Sequence, residues 1–217
     1  AEEDFLTQFF TASTHDNVLF FTDRGRVFQT KIHEIPPASR TAKGKAIHSF
    51  LELPPSENIS AIVAYAADKR GLDAEGRGKN PRGSALSPRK SAYLVMVTKA
   101  GLVKKTRAAD FENIRRTGII AIALKKGDLL KWVRLSAGND QIILATKHGQ
   151  AIRFRESQIR AMGRGASGVR AIRLKSGDEV AGFDIMSGEE AKGPVSASRG
   201  EAGKELKFLV VMEKGFA

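Results

Sequence analysis

Cations return at fixed distances from three glycine turns in this chain. Counting from Gly25, Gly101 and Gly149, the sixth residue is Lys31, Arg107 or Arg155, and the fifteenth is Arg40, Arg116 or Arg164. The tenth is apolar each time: Ile35, Phe111 or Ile159. Side chains two apart on a strand share a face. Gln29 with Lys31, Lys105 with Arg107, and Arg153 with Arg155 are therefore expected in pairs, while Phe28 and Ile152 point the other way and Lys104 breaks the pattern. The loops beyond add Lys43 and Lys45 in the first copy, Arg115 in the second, and Arg160 and Arg170 in the third. Guanidinium forks match phosphate oxygens bidentately. Duplex DNA presents one negative charge per ~1.7 Å of axis, which a continuous cationic band neutralises by counterion release without reading bases. The competing reading is that these are ordinary solvated strand faces. Recurrence at fixed offsets favours the binding track.

Composition agrees. Lys and Arg number 36 against 24 Asp and Glu, a net charge of +12 on 217 residues, with a pI near 10.1. Such a balance points first to polyanionic partners. Hydrophobic residues at 41% suffice for a real core. The chain contains no run of 18 apolar residues, and its acidic start lacks the basic region of a signal peptide, so no membrane role is expected. Cysteine is absent, which excludes disulfides and thiolate metal sites and fits a reducing, cytoplasmic setting.

Other candidate chemistry is thinner. Gly163-Arg164-Gly165-Ala166-Ser167-Gly168 matches the dinucleotide fingerprint, but that motif works only between a strand and a helix, and Val169 to Leu174 alternates like a strand. It is expected to be a turn. His15, His33, His48 and His148 show no ligand spacing. Asp128 and Asp178 follow glycines and read as turn formers. Tyr65, Tyr93 and Trp132 read as blade core, and no aromatic is interleaved among the cations, so single-strand stacking is disfavoured. No catalytic residue, metal site or cofactor is expected.

The elements that must position the cations are β-strands. Before each turn lie apolar runs at Val18–Phe21, Tyr93–Val97, Ile142–Leu144 and Phe208–Val211, the last preceding a fourth turn at Gly215. Three residues ending in glycine suit a hairpin whose glycine takes positive φ. Two further strands are expected per copy. One set covers Ala46–Phe50, Ile119–Leu124 and Val169–Leu174; the other covers Ile59–Val63, Leu129–Val133 and Glu179–Phe183. Four strands in a unit of about 48 residues indicate propeller-like blades, and helices should be few. The expected organisation is one domain over 1–217, with repeats at about 17–67, 92–138 and 139–186 and a truncated copy at 206–217. The polar, Gly-rich stretches 68–91 and 187–205 are expected as inserted surface loops.

Three stretches resemble a known family: Thr14 to Val27 with its His-Asp-Asn and Asp-Arg-Gly signatures, Lys31 to Pro36 with Ser39 to Gly44, and Arg155 to Gly163 with Gly168-Val169-Arg170. Together they are similar to the C-terminal domain of the DNA gyrase A subunit. The resemblance implies an all-β β-pinwheel, a propeller-like disc whose blades exchange strands. It further implies a non-catalytic module that wraps duplex DNA, so that strand passage driven by ATP on the B subunit introduces negative supercoils. ATP and magnesium would act elsewhere in an A2B2 holoenzyme, near the nucleoid, and the catalytic tyrosine would lie in the N-terminal region of the A subunit. The family's glutamine- and arginine-rich box has only a degenerate counterpart at Ser39 to Gly44. Because Glu2 to Phe5 resembles the stretch just after that box, the chain is expected to be a fragment beginning beyond it. The related pinwheel of the topoisomerase IV A subunit is the runner-up, followed by a scaffold that binds protein and not DNA.

Overall fold

A computed structural model describes residues 10–39, 44–65, 93–112 and 114–186. Arg40, Lys43, the stretches 68–91 and 187–205 and the fourth copy at 206–217 lie outside these residues.

Each copy opens with a hairpin, and the three hairpins are built alike. They pair β1 (Asn17–Thr22) with β2 (Arg26–Lys31), β4 (Tyr93–Thr98) with β5 (Leu102–Arg107), and β8 (Gln141–Thr146) with β9 (Ala151–Arg155). Gly25, Gly101 and Gly149 take φ of 80°, 79° and 80°, the left-handed geometry expected of the turns. A Cβ on Gly101 would also lie 2.9 Å from the Ile172 side chain, so a neighbouring unit closes over the turn. Thr22, Thr98 and Thr146 complete it. Each buried hydroxyl accepts the amide N–H four residues on, at 3.1, 3.2 and 3.1 Å, and each carbonyl accepts the glycine N–H at 3.0 Å.

The third strands, β3 (Ile59–Tyr65), β7 (Leu130–Ser136) and β11 (Val180–Met186), flank β1, β4 and β8. Asp128 and Asp178 stand just before β7 and β11 as turn residues. The Asp128 carboxylate accepts the N–H groups of Ala100 and Leu129, and that of Asp178 accepts those of His148 and Glu179. Burial pushes the Asp178 carboxyl up, but bonds from Thr146 and those two amides outweigh it and hold the group below its usual range.

The fourth strand of a blade comes from the next unit. β6 (Ile119–Ile120) pairs with β2, and β10 (Val169–Arg170) with β5. The sheets are therefore β3-β1-β2-β6, β10-β5-β4-β7 and β11-β8-β9. The sequence suggested longer strands over Ile119–Leu124 and Val169–Leu174; only two residues of each pair. Ala121 and Ile122 turn away to bond the Gly25 carbonyl and bury their side chains between units, and Ala171 bonds the Gly101 carbonyl in the same way. Ala46–Phe50 is also corrected, since Ile47–Ser49 forms a 3-10 turn. Its counterparts extend against the second strand of a preceding unit, and among the described residues the first unit has none.

Much of the core lies between blades, while Val18, Phe20, Phe28, Leu51 and Leu53 form a cluster within the first unit. One cluster holds Phe21, Val27, Met96, Phe111 and Ile122 from the first two units; a second holds Val97, Val103, Ile142, Ile159 and Ile172 from the second and third. Trp132, half-buried, packs on the second. β7 lies beside both β3 and β11, so the third strands converge while β2, β5, β6 and β10 lie toward the other margin. Regular helix among the described residues is limited to short 3-10 turns, and no helix there is long and apolar enough to cross a membrane.

Candidate nucleic-acid interface

Lys31, Arg107 and Arg155 occupy one structural position. Each ends the second strand of its hairpin, opposite Asn17, Tyr93 and Gln141 at the open end away from the glycine turn. Each also immediately precedes a 3-10 turn, at Ile32–Glu34, Ala108–Phe111 or Glu156–Gln158. The short turn reverses the chain directly after the cation, and the apolar residue that follows (Phe111 or Ile159) drops into an inter-blade cluster. All three cations are exposed. In the first copy Glu34 reinforces the turn by accepting the Thr30 hydroxyl at 2.7 Å and the Lys31 N–H at 3.2 Å; the Thr30 bond chiefly holds its carboxyl below the usual range.

The loops that follow, together with β9 and β10, carry the remaining charge outward. Lys45, Arg115, Arg116, Arg153, Arg160, Arg164 and Arg170 are exposed. Arg164 also reaches across a unit boundary, donating to the Asp110 carbonyl at 3.1 Å.

Lys105 is the correction. The strand-face rule pairs it with Arg107 on the binding surface, but it is buried, at 6% exposure. In the first two copies the face that holds the fourth residue after the turn glycine is pressed against the next unit. The Lys105 ammonium lies 3.4 Å from the Glu156 carboxylate and 4.7 Å from the centre of the Tyr93 ring. A phosphate cannot reach it. Gln29, its counterpart in the first copy, donates to the Tyr65 hydroxyl at 2.8 Å and accepts the Ile114 N–H at 3.1 Å. Only Arg153 keeps this position exposed, on a strand with no fourth partner among the described residues. Tyr65 and Tyr93 are thus junction residues and half-buried, and burial raises the Tyr65 hydroxyl pKa to about 12.

Sequence reasoning passed over two groups here. Arg26 donates to the Thr117 carbonyl and lies 5.4 Å over the Phe28 ring, with Glu57 at 3.5 Å. With Gly118, Ile119, Ile120, Arg164 and Gly165 it lines an open depression of about 620 Å³ to which all three units contribute. Lys104, the residue that breaks the facing pattern, is fully buried beneath the loop from the third unit. Its irregularity was the visible signal. The Gly163–Gly168 stretch leads into β10, not a helix, so no helix N-terminus faces a pyrophosphate. No group of three or more metal-binding side chains gathers among the described residues.

The family described as "DNA gyrase C-terminal domain, beta-propeller" matches residues 16–60, 92–137 and 140–185 of the chain. The DNA gyrase A subunit of Staphylococcus epidermidis is 39% identical over 215 residues, or 99% of this chain and 20% of that protein. Its Staphylococcus aureus counterpart is 41% identical over 184 residues, covering 85% and 19% respectively. The chain thus spans about a fifth of the length of these relatives. Among solved structures, the C-terminal domain of a DNA topoisomerase IV superposes with a TM-score of 0.66 at 25% identity, over 82% of this chain and 49% of that one. A DNA gyrase A C-terminal domain superposes at 0.57 and 22% identity, over 79% and 48%, and shares the fold.

Proposed function

Since the chain belongs to the DNA gyrase C-terminal domain family, whose fold is the β-pinwheel seen here, we propose that it binds duplex DNA along the exposed cations and wraps it within a gyrase. The observation that carries this reading is the repeated placement of Lys31, Arg107 and Arg155. Three blades present a cation at the same hairpin end, each followed by a basic loop. A backbone track of that kind neutralises phosphates without contacting bases.

The gyrase relatives carry the choice over the topoisomerase IV pinwheel, whose structure superposes well at lower identity. In this reading the module is non-catalytic. Breakage and religation by the catalytic tyrosine belong to the N-terminal region of the A subunit, and ATP with magnesium to the B subunit. The setting is cytoplasmic, on the nucleoid. Arg107, Arg116, Arg155 and Arg164 are the core of the track, supported by Lys31, Lys45, Arg115, Arg153, Arg160 and Arg170; Arg40 and Lys43 extend it in the first copy.

Replacing Arg107, Arg116, Arg155 and Arg164 together by alanine tests the track. Duplex binding, measured against salt for unrelated sequences, should weaken uniformly, and the log–log salt slope should flatten by roughly 3–4, near 0.9 per lost phosphate contact. Circular dichroism should be unchanged. An unaltered slope would sink the assignment, and the absence of any plasmid shift at moderate salt would favour a protein scaffold.

A further inference from the structure

Position three after each turn glycine is filled by Phe28, Lys104 and Ile152. Two of these are apolar: Phe28 joins the first unit's own cluster with Val18 and Leu51, and Ile152 packs on the cluster between the second and third units. In the first copy the Phe28 ring underlies the loop of the second unit so closely that a Cβ on Gly118 would sit 2.7 Å from it. The same place in the second copy holds an ammonium. Lys104 has no exposed surface, and its Nζ donates to the Ala121 carbonyl at 2.6 Å and to the Arg164 carbonyl. Both acceptors are neutral backbone groups. Burying a cation against carbonyls alone is costly, so a lysine here needs a reason that packing does not supply.

That reason lies in what it holds. The loop from Met162 to Gly168 belongs to the third unit but lies on the second. The Met162 N–H donates to the Lys105 carbonyl at 2.8 Å and the Ala123 N–H to the Ala166 carbonyl at 3.2 Å. Between these two bonds, the Lys104 side chain grips the loop backbone at Arg164. The Arg164 guanidinium then reaches the Asp110 carbonyl. We propose that Lys104 is a positioning residue for the cationic track: its buried amine clamps the third unit's loop onto the second unit and so sets where Arg160 and Arg164 meet a phosphate. The proposal rests on the DNA-binding reading for its purpose, but the clamp itself is a separate physical claim.

The charged groups facing this amine are few. Asp110, on the 3-10 turn of its own unit, favours the charged form; Arg164 lies on the loop above; β4 places Met96 opposite, and β10 ends in the exposed Arg170. Burial dominates and brings the Lys104 pKa down to about 8. The loop forms part of what buries it, so docking and proton release are linked. The neutral amine still carries two N–H groups for its two carbonyls, and raising the pH should tighten the loop.

Residue-resolved hydrogen exchange of the full chain, corrected for intrinsic rates, tests this at the Met162 and Ala123 amides. In Lys104→Met, protection at both should fall by about tenfold, while β8 amides keep theirs. In the parent, protection at both should rise from pH 7 to pH 9; the variant should show no such rise. Lys104→Met should also flatten the DNA salt slope by about one, but not further once Arg164→Ala is present. Unchanged protection in the variant overturns the clamp. Should the variant fail to fold, a flat pH profile in the parent overturns it instead. If the parent binds no duplex, the functional reading fails while the exchange data still decide the clamp.

Discussion

The two junctions between blades use the same positions with opposite chemistry. Where the first unit meets the second, Phe28 and Gln29 both touch the neighbour from opposite faces of their strand: a ring beneath Gly118, and an amide shared between the Tyr65 hydroxyl and the Ile114 N–H. Where the second meets the third, Lys104 and Lys105 take those places, one on carbonyls and the other on Glu156. Both junctions also bury an apolar cluster, so burial alone supplies adhesion at each. The second adds charges that must be met at fixed points. Apolar surfaces tolerate sliding and repacking, whereas a buried ammonium left unmatched is severely penalised. The ionic junction is therefore the one whose geometry is closely specified, and it is the one that carries the Arg160–Arg164 loop.

The largest test of this contrast is Glu156→Ala. The carboxylate is fully buried and accepts the Ser136 hydroxyl and the Asp140 N–H besides facing Lys105. Its loss should destabilise the chain by about 3–5 kcal/mol in urea unfolding, because a buried cation is left unpaired. Gln29→Leu, at the neutral junction, should cost less, about 1–3 kcal/mol, the penalty for the orphaned Ile114 N–H and the lost bond to the Tyr65 hydroxyl. Equal costs would erase the distinction.

The smallest effect is in pH. Lys104 drops from 10.5 to about 8 on folding, so between those values the unfolded chain holds a proton that the folded one has released. Stability should rise over pH 8–10, by no more than about 1.4 kcal/mol per unit. Tyr65 acts oppositely and later. Its pKa is raised from 10 to about 12, so the folded state keeps a proton and stability falls as pH climbs through that range. Urea midpoints at pH 8, 9 and 10 should show the rise in the parent and not in Lys104→Met.

Much of this molecule was legible because it repeats. The glycine register marked the hairpins, the positive-φ turns and the open-end cations before any packing was known. Period-two alternation also told correctly that Arg107 and Arg155 leave the core; both end their strands and are exposed. It misread Lys105, because alternation separates two faces and does not say which face another blade will cover. The strand over Ala46–Phe50 failed for a similar reason, since a strand needs a partner edge and that edge belongs to a different unit.

The sequence by itself determined the β class, the three turns and the cations at the strand ends. These follow from local backbone preference and from alternation, which act over a few residues. Only the tertiary structure decided which unit lends its fourth strand, that Lys105 faces Glu156 and not solvent, and that Lys104 grips the loop of Arg164. Those depend on contacts between residues tens of positions apart, where burial changes the meaning of a charge.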